Sequence, residues 1–340
     1  MSDSRMPDSH PSPRVDPGPP DEESLTIPEA SALAHRIVDE VSRAVVGKRE
    51  VLELILAGLL ADGHVLMDDL PGLEKTLAAR SIARVAGLEF SRVQFTPDVL
   101  PADITGALVL DLRTRTPEFR PGPVFTNLLL ADEVNRAPAK TQAALLEAMQ
   151  ERQVTADGIG HPLPRPFLVI ATQNPIESEG TYPLPEAQLD RFLLRTTMGY
   201  PGEADEVRIL ADRVERRTDE VTLEAVCDAE TFRRLQGAVE EVHVDPRLLA
   251  YAVAVVRATR DDDQLSVGSS PRGTLALVKL ARAAALLAGR DHVGPDDIRR
   301  MTVPALAHRV VLNDEAWARG ADPEPIVRAA ADRVAVPDPR

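Results

Sequence analysis

The sequence predicts an α/β fold, a five-stranded parallel sheet between helices, followed by an all-helical lid. Candidate strands at 64–68, 90–95, 128–132, 167–172 and 192–197 alternate with helical patterns. That alternation covers both faces of a parallel sheet. After Tyr200-Pro201-Gly202 the composition shifts to helix formers without strands. In such folds the polar residues just past the carboxyl ends of the strands line the crevice where ligands bind.

Residues 1–27 are rich in Pro, Ser and Asp with almost no large apolar side chains, and read as a disordered tail. From Pro28 onward Leu33, Ile37, Val38 and Val41 fall at helical spacing, and a second helix covers roughly 48–61. The first strand then runs into Asp69, Leu70, Pro71, Gly72, Leu73 and Glu74, followed by Lys75-Thr76 and Leu77. In the loop pattern G-x-x-x-x-G-K-[ST], backbone N–H groups wrap phosphates, the lysine reaches the outer ones and the hydroxyl holds Mg²⁺. Lys75 and Thr76 fit, while Asp69 and Glu74 occupy the glycine positions. On local sequence alone this is equally well a Gly/Lys/Thr turn.

Residues 104–125 read as a hairpin, with ALVLDL and PEFR flanking a polar RTRT tip, and 152–167 as another around Asp157-Gly158. Between them LLLADE, 128–133, is a buried strand that delivers two acids to its carboxyl edge. Asp132 there suits Mg²⁺ held through water and Glu133 suits polarising an attacking water. The alternative is a strand end beside a solvated acidic turn. In FLVIATQNP, 167–175, Asn174 stands just past another apolar run, where it can orient that water or serve only as a turn residue before proline. Amphipathic segments follow at about 204–217, 228–241, 246–260, 272–289 and 295–310, then a short helix and a Pro-containing tail.

In this order and spacing the signals reinforce one another. The chain resembles the MoxR family of AAA+ ATPases over roughly residues 40–310, most specifically in QFTPDVLPADITG, GPVFTNLLLADEVNRAPAKTQAALLEAMQERQVT and FLVIATQNPIESEGTYPLPEAQLDRFLLR. The resemblance implies a P-loop AAA+ core over 28–200, a helical lid over 201–320 and a C-terminal helix and tail over 321–340. It makes Lys75 and Thr76 the Walker A pair, Asp132 and Glu133 Walker B, and Asn174 sensor 1. Arg191, in LDRF, matches the arginine finger that reaches a neighbouring subunit's ATP, with Arg195 as a second interface arginine. Arg272, in SSPRGTL, matches sensor 2, which the loop DDDQLSVGSS, 261–270, carries toward the nucleotide. Ser270 as N-cap and Pro271 as first helical residue put that arginine in an opening helical turn, where an anion compensates its opposition to the helix dipole.

The resemblance also implies ATP and Mg²⁺ as cofactors, bound between core and lid, with Val46-Gly47 passing near the adenine. The two hairpins match the helix-2 insert and the hairpin before sensor 1, which project toward a ring's pore. The implied partners are further copies in a hexameric ring and a client protein, often one with a von Willebrand A domain. The implied activity is ATP hydrolysis that drives chaperone-like remodelling. Glu74 departs from the family's glycine or alanine. A carboxylate about 4 Å from a phosphate, at an effective dielectric of about 20, repels it by roughly 4 kcal/mol, about a thousandfold in affinity. Rotation into solvent screens that repulsion. The expectation is weakened ATP binding, with a nucleotide-binding scaffold as the alternative function. Lys48, where the family more often has glutamine, is a second departure.

Composition narrows the classes. A net charge of −15 over 340 residues with no basic stripe argues against a nucleic-acid motor and against anionic membranes. The single cysteine, Cys227, excludes an intrachain disulfide or Cys-rich metal site, and no apolar span is long enough for membrane insertion. The sequence carries no secretory signal, so a cytoplasmic location is expected.

Overall fold

The computed structural model describes residues 24–68, 74–113, 115–174 and 181–337. Asp69, Leu70, Pro71, Gly72 and Leu73 lie outside the described residues, as does most of the 1–27 tail. Helices α1 (Ile27–Ser42) and α2 (Arg49–Leu60) precede β1 (Val65–Asp68), α3 (Lys75–Val85), β2 (Phe90–Gln94) and the short α4 (Pro101–Thr105). Next come β3 (Gly106–Asp111), β4 (Thr116–Pro121), β5 (Leu128–Asp132), α5 (Ala139–Glu151), β6 (Gln153–Ala156) and β7 (Ile159–Pro162). The core closes with β8 (Leu168–Gln173), α6 (Glu186–Leu189) and β9 (Leu194–Thr196).

Five of these strands form one parallel sheet in the order β2-β5-β8-β1-β9. Its strands alternate between two cores. Val65, Met67, Leu128, Leu130, Leu168 and Ile170 pack on one face, and Leu66, Leu129, Ala131, Val169 and Ala171 on the other. Because both faces are covered, the strands read as continuous apolar runs. β3 pairs with β4 and β6 with β7 as separate antiparallel hairpins. In the second, Asp157 and Gly158 both take positive φ, 50° and 77°, the backbone a two-residue hairpin turn requires. Phe119 of β4 stacks on His161 of β7, with ring centroids 4.0 Å apart, and joins the hairpins.

The remaining chain is α7 (Glu203–Arg216), α8 (Ala229–Glu240), α9 (Pro246–Ala258), β10 (Leu265–Val267), α10 (Pro271–Leu287) and α11 (Pro295–Leu306). It ends with β11 (Val311–Leu312), α12 (Asp314–Ala318) and α13 (Pro323–Asp332). This helical lid contains a small antiparallel ribbon, β10 with β11, that the sequence reading lacked. Strands of three and two residues leave no window in which alternation can be read. Leu277, Leu280 and Ala284 of α10 share one core with Leu52, Ile55 and Leu56 of α2 and with one face of the sheet. Lid and core therefore bury apolar surface jointly. Helix α7 is the exception: none of its residues is buried, and Val207, Leu210 and Val214 stand exposed at spacings of three and four.

Candidate functional site

Parallel strands bring the ends of β1, β5 and β8 to one edge. β8 lies between the other two, with Gln173 paired to Asp68, and Asp132 sits across from Gln94 of β2. Lys75 opens α3 directly after its N-cap Glu74 and is buried at the helix's amino end, while Thr76 is half-buried and Leu77 is exposed. Glu74, just before it, adopts the left-handed conformation, φ 51° and ψ 16°. That conformation is where glycine is the default residue, so the loop's second glycine position has a backbone reason independent of phosphate. The Glu74 side chain is half-buried; desolvation lifts its carboxyl above the usual range, against the pull of Lys48.

Asp132 and Glu133 are held by a network that spans three strands. Thr172 of β8 donates its hydroxyl to Asp132 Oδ1 at 2.6 Å and accepts from the Glu133 N–H at 2.8 Å. Arg92 of β2 donates to Asp132 Oδ2 through Nε at 3.2 Å and Nη2 at 2.7 Å. Glu133, itself left-handed at φ 56°, accepts at Oε2 from Gln94 Nε2 at 2.8 Å and from Arg136 Nη1 at 2.9 Å. Asn174 is buried past the end of β8, and its carbonyl accepts from Asn135 Nδ2 at 3.2 Å. Sequence reasoning singled out Asp132, Glu133 and Asn174 but not Thr172, Arg92, Gln94 and Arg136, which bond to them or to one another here. The polar Thr and Gln ending two apolar strands were the available signal.

Gly47 lies against Asp205 in the first turn of α7, next to the buried Val46. Gly47 has φ 73°, and a Cβ there would collide with the Asp205 carboxylate. Lys48 Nζ also donates to the Tyr200 carbonyl at 2.7 Å. Among the described residues no three His, Cys, Asp or Glu side chains converge as a metal cage. Asp132, buried at the end of β5, and the Thr76 hydroxyl in the first turn of α3 are donors of the kind that suit Mg²⁺, which is held by one or two carboxylates together with ligand phosphates.

The arginines lie elsewhere. Leu193 N–H donates to the His64 carbonyl at the amino start of β9 and β1, so Asp190, Arg191 and Phe192 stand beyond the opposite edge of the sheet. Ser270 caps α10 by accepting from the Arg272 N–H at 3.2 Å, as the sequence predicts. The Arg272 side chain, however, faces Asp190, with Nη1 3.7 Å from Oδ2, and not this chain's own Lys75. His64, Met149, Gln150, Asp190, Arg191 and Arg272 line a cavity of about 220 Å³. Arg191 Nε is buried there with no hydrogen-bond partner. The structure thus brings Arg191 and Arg272 together, and separates both from Lys75, Asp132, Glu133 and Asn174. Arg195 turns the other way, 3.6 Å from Asp68 and from Glu324.

A family model for the ATPase family associated with various cellular activities matches residues 64–194, and one for the AAA lid domain matches 257–330. Chaperone MoxR1 of Mycobacterium tuberculosis is 43% identical over 311 residues, 89% of this chain and 82% of that protein. The chain belongs to the MoxR family of AAA+ ATPases. An uncharacterized protein of Bacillus subtilis, YeaC, is 48% identical over 305 residues, 90% of this chain and 95% of its own length. A solved structure of a candidate ATPase from Cytophaga hutchinsonii superposes with a TM-score of 0.84 at 37% identity, covering 91% of this chain and 96% of that one. In this MoxR-family chain, the family supports ATP binding and ATPase chemistry in general. No helix among the described residues is long and apolar enough to cross a membrane.

Proposed function

We propose that this chain is an ATP-hydrolysing chaperone whose active sites form between copies, the carboxyl edge of one protomer facing the amino edge of the next. One observation carries this reading: the arginine pair Arg191 and Arg272 lies across the sheet from the chain's own Lys75 and Glu133. ATP supplies the transferable phosphoryl group, and Mg²⁺ offsets its charge. Lys75 and the amino terminus of α3, with the loop from Asp69 to Glu74, hold the phosphates. Thr76 and Asp132 hold the metal, while Val46, Gly47 and Leu77 border the base and the loop.

Glu133 takes a proton from the attacking water, and Asn174 orients that water. Gln94 and Arg136 both donate to Oε2 of the Glu133 carboxylate, which orients the group while Oε1 takes the water. Arg191 and Arg272 of the adjacent copy stabilise the charge that builds on the phosphoryl oxygens. This reading replaces the expectation that the lid carries Arg272 toward its own nucleotide.

Supply of these groups in trans requires a head-to-tail interface that closes into a ring, and a hexamer is the size the family suggests. The apolar stripe Val207, Leu210 and Val214 on α7, uncovered in a lone protomer, supports further copies as the partner. Leu112, 84% exposed, and Ile159, 62% exposed, give the two hairpins apolar tips for a client protein, one with a von Willebrand A domain by family likeness. The acidic chain favours neither nucleic acid nor membrane, and a cytoplasmic setting fits it. Phosphate release by the purified protein, set against Glu133→Gln, tests the reading. Turnover that Glu133→Gln abolishes supports it, and a parent that binds ATP yet releases no phosphate overturns it.

A further inference from the structure

We propose that Asp190 is a positioning residue that fixes Arg191 and Arg272 as a single presented pair, by tying the segment before β9 to the first turn of lid helix α10. The inference rests on the trans reading above. Asp190 Oδ1 accepts from Arg309 Nε at 2.8 Å. Its other oxygen, Oδ2, faces the lid helix, accepting from the Ser270 cap hydroxyl at 3.4 Å and standing 3.7 Å from Arg272 Nη1. One carboxylate therefore addresses a fixed cation, a helix cap and a movable cation.

Arg309 is the fixed point. Its side chain is 3% exposed, and it donates to the carbonyls of Asp190 at 3.2 Å, Phe192 at 2.6 Å and Leu193 at 3.2 Å, and to that of Ala305. Those carbonyl bonds already hold the turn that carries Arg191. The lid-facing oxygen of Asp190 is thus free to set where α10 begins and which way Arg272 points.

Electrostatics assigns it a second task. Arg191 and Arg272 line one cavity, and Arg309 adds a third positive charge beside it. Without an intervening anion the guanidiniums repel, and the exposed one, Arg272, turns into solvent. At 3.7 Å and 59% side-chain exposure its pairing with Asp190 is loose, so a neighbouring copy's phosphate can draw it away while Asp190 retains Arg309.

Asp190→Asn keeps the shape and the Arg309 carbonyl bonds but removes the charge. Its kcat for ATP is expected to fall about tenfold or more, with KM and the number of titratable ATP sites unchanged, because its own carboxyl edge is intact. A general folding defect would instead lower the number of sites. In a 1:1 mixture with Lys75→Ala, about a quarter of the interfaces pair two intact edges, and activity should rise to match. Ser270→Gly, which leaves Arg309 compensated and costs the helix cap little, should lower kcat about threefold and also settles the matter if Asp190→Asn does not fold. A kcat within twofold of the parent in the folded variants, alongside an Arg191→Ala that is inactive, overturns the role of Asp190. An Arg191→Ala that turns over normally overturns the trans reading instead.

Discussion

At the carboxyl edge of the sheet, Asp132, Glu133 and Thr172 bond to one another across adjacent strands. At the amino edge, Asp190 reaches Ser270 and Arg309, which lie 80 and 119 residues away in sequence. The first edge is complete once the parallel sheet has formed. The second is complete only when the lid helices have docked, because Ser270, Arg272, His308 and Arg309 all belong to the lid. Lid docking and presentation of the arginine pair are therefore one event, whereas the carboxyl edge is built without the lid.

The largest test of the contrast is Arg191→Ala. On the trans reading it should lower turnover by about a thousandfold while leaving ATP affinity within a few-fold of the parent, because an arginine finger acts on transition-state charge. Single-turnover phosphate release and equilibrium titration with a fluorescent ATP analogue separate the two effects, and a matching loss of affinity would make the arginine a ground-state ATP contact instead of a transition-state one.

Acid should damage the amino edge next. Burial, aided by Arg152, pushes the His64 imidazole down to about 4, and burial beside Arg309 holds His308 well below its ordinary value. Each folded-state value lies below the unfolded one, so the stabilisation is complete above about pH 6.5 and falls away as pH drops below it, for His64 down to about pH 4. For His64 alone the loss reaches roughly 3 kcal/mol. Urea unfolding midpoints over this window should fall steeply in the parent and less in His64→Gln; equal slopes would remove His64 from the account.

Thr172→Val probes the other edge on a smaller scale. It strips the hydroxyl that serves both Asp132 and the Glu133 N–H, and should cost about 2 kcal/mol of stability with a clear drop in kcat. Unchanged urea stability in Thr172→Val would mean that Arg92 alone holds Asp132. Glu74→Gly is the mildest change: relief of the left-handed backbone should add about 1 kcal/mol of stability, and loss of the half-buried carboxylate should tighten ATP binding. An unaltered nucleotide affinity would show the glutamate to be silent.

Much of the carboxyl edge was legible because its residues come as local motifs. DE at 132–133, Asn174 after an apolar strand and Lys75-Thr76 after another need only the parallel-sheet rule to be placed together. Thr172 and Gln94 were within reach of the same rule, as polar residues at strand ends. The amino edge was not legible in this way. Arg272 was correctly placed in the first turn of a helix behind Ser270, yet which edge of the sheet that turn faces depends on how α10 packs against α2. Helical periodicity marks an apolar face without naming its partner. Asp190 gave no signal at all, since an aspartate before an arginine reads as a local ion pair until Arg309 arrives from 119 residues away.

The central claim is that each active site takes its carboxyl edge from one copy and its arginines from the next. Mixing Lys75→Ala with Arg191→Ala tests it most directly, because the first variant has an intact amino edge and the second an intact carboxyl edge. Phosphate release measured on each alone and on the mixed assembly should show two inactive proteins that regain about a quarter of parental activity together. A mixture that co-assembles and stays as inactive as its components would contradict the claim.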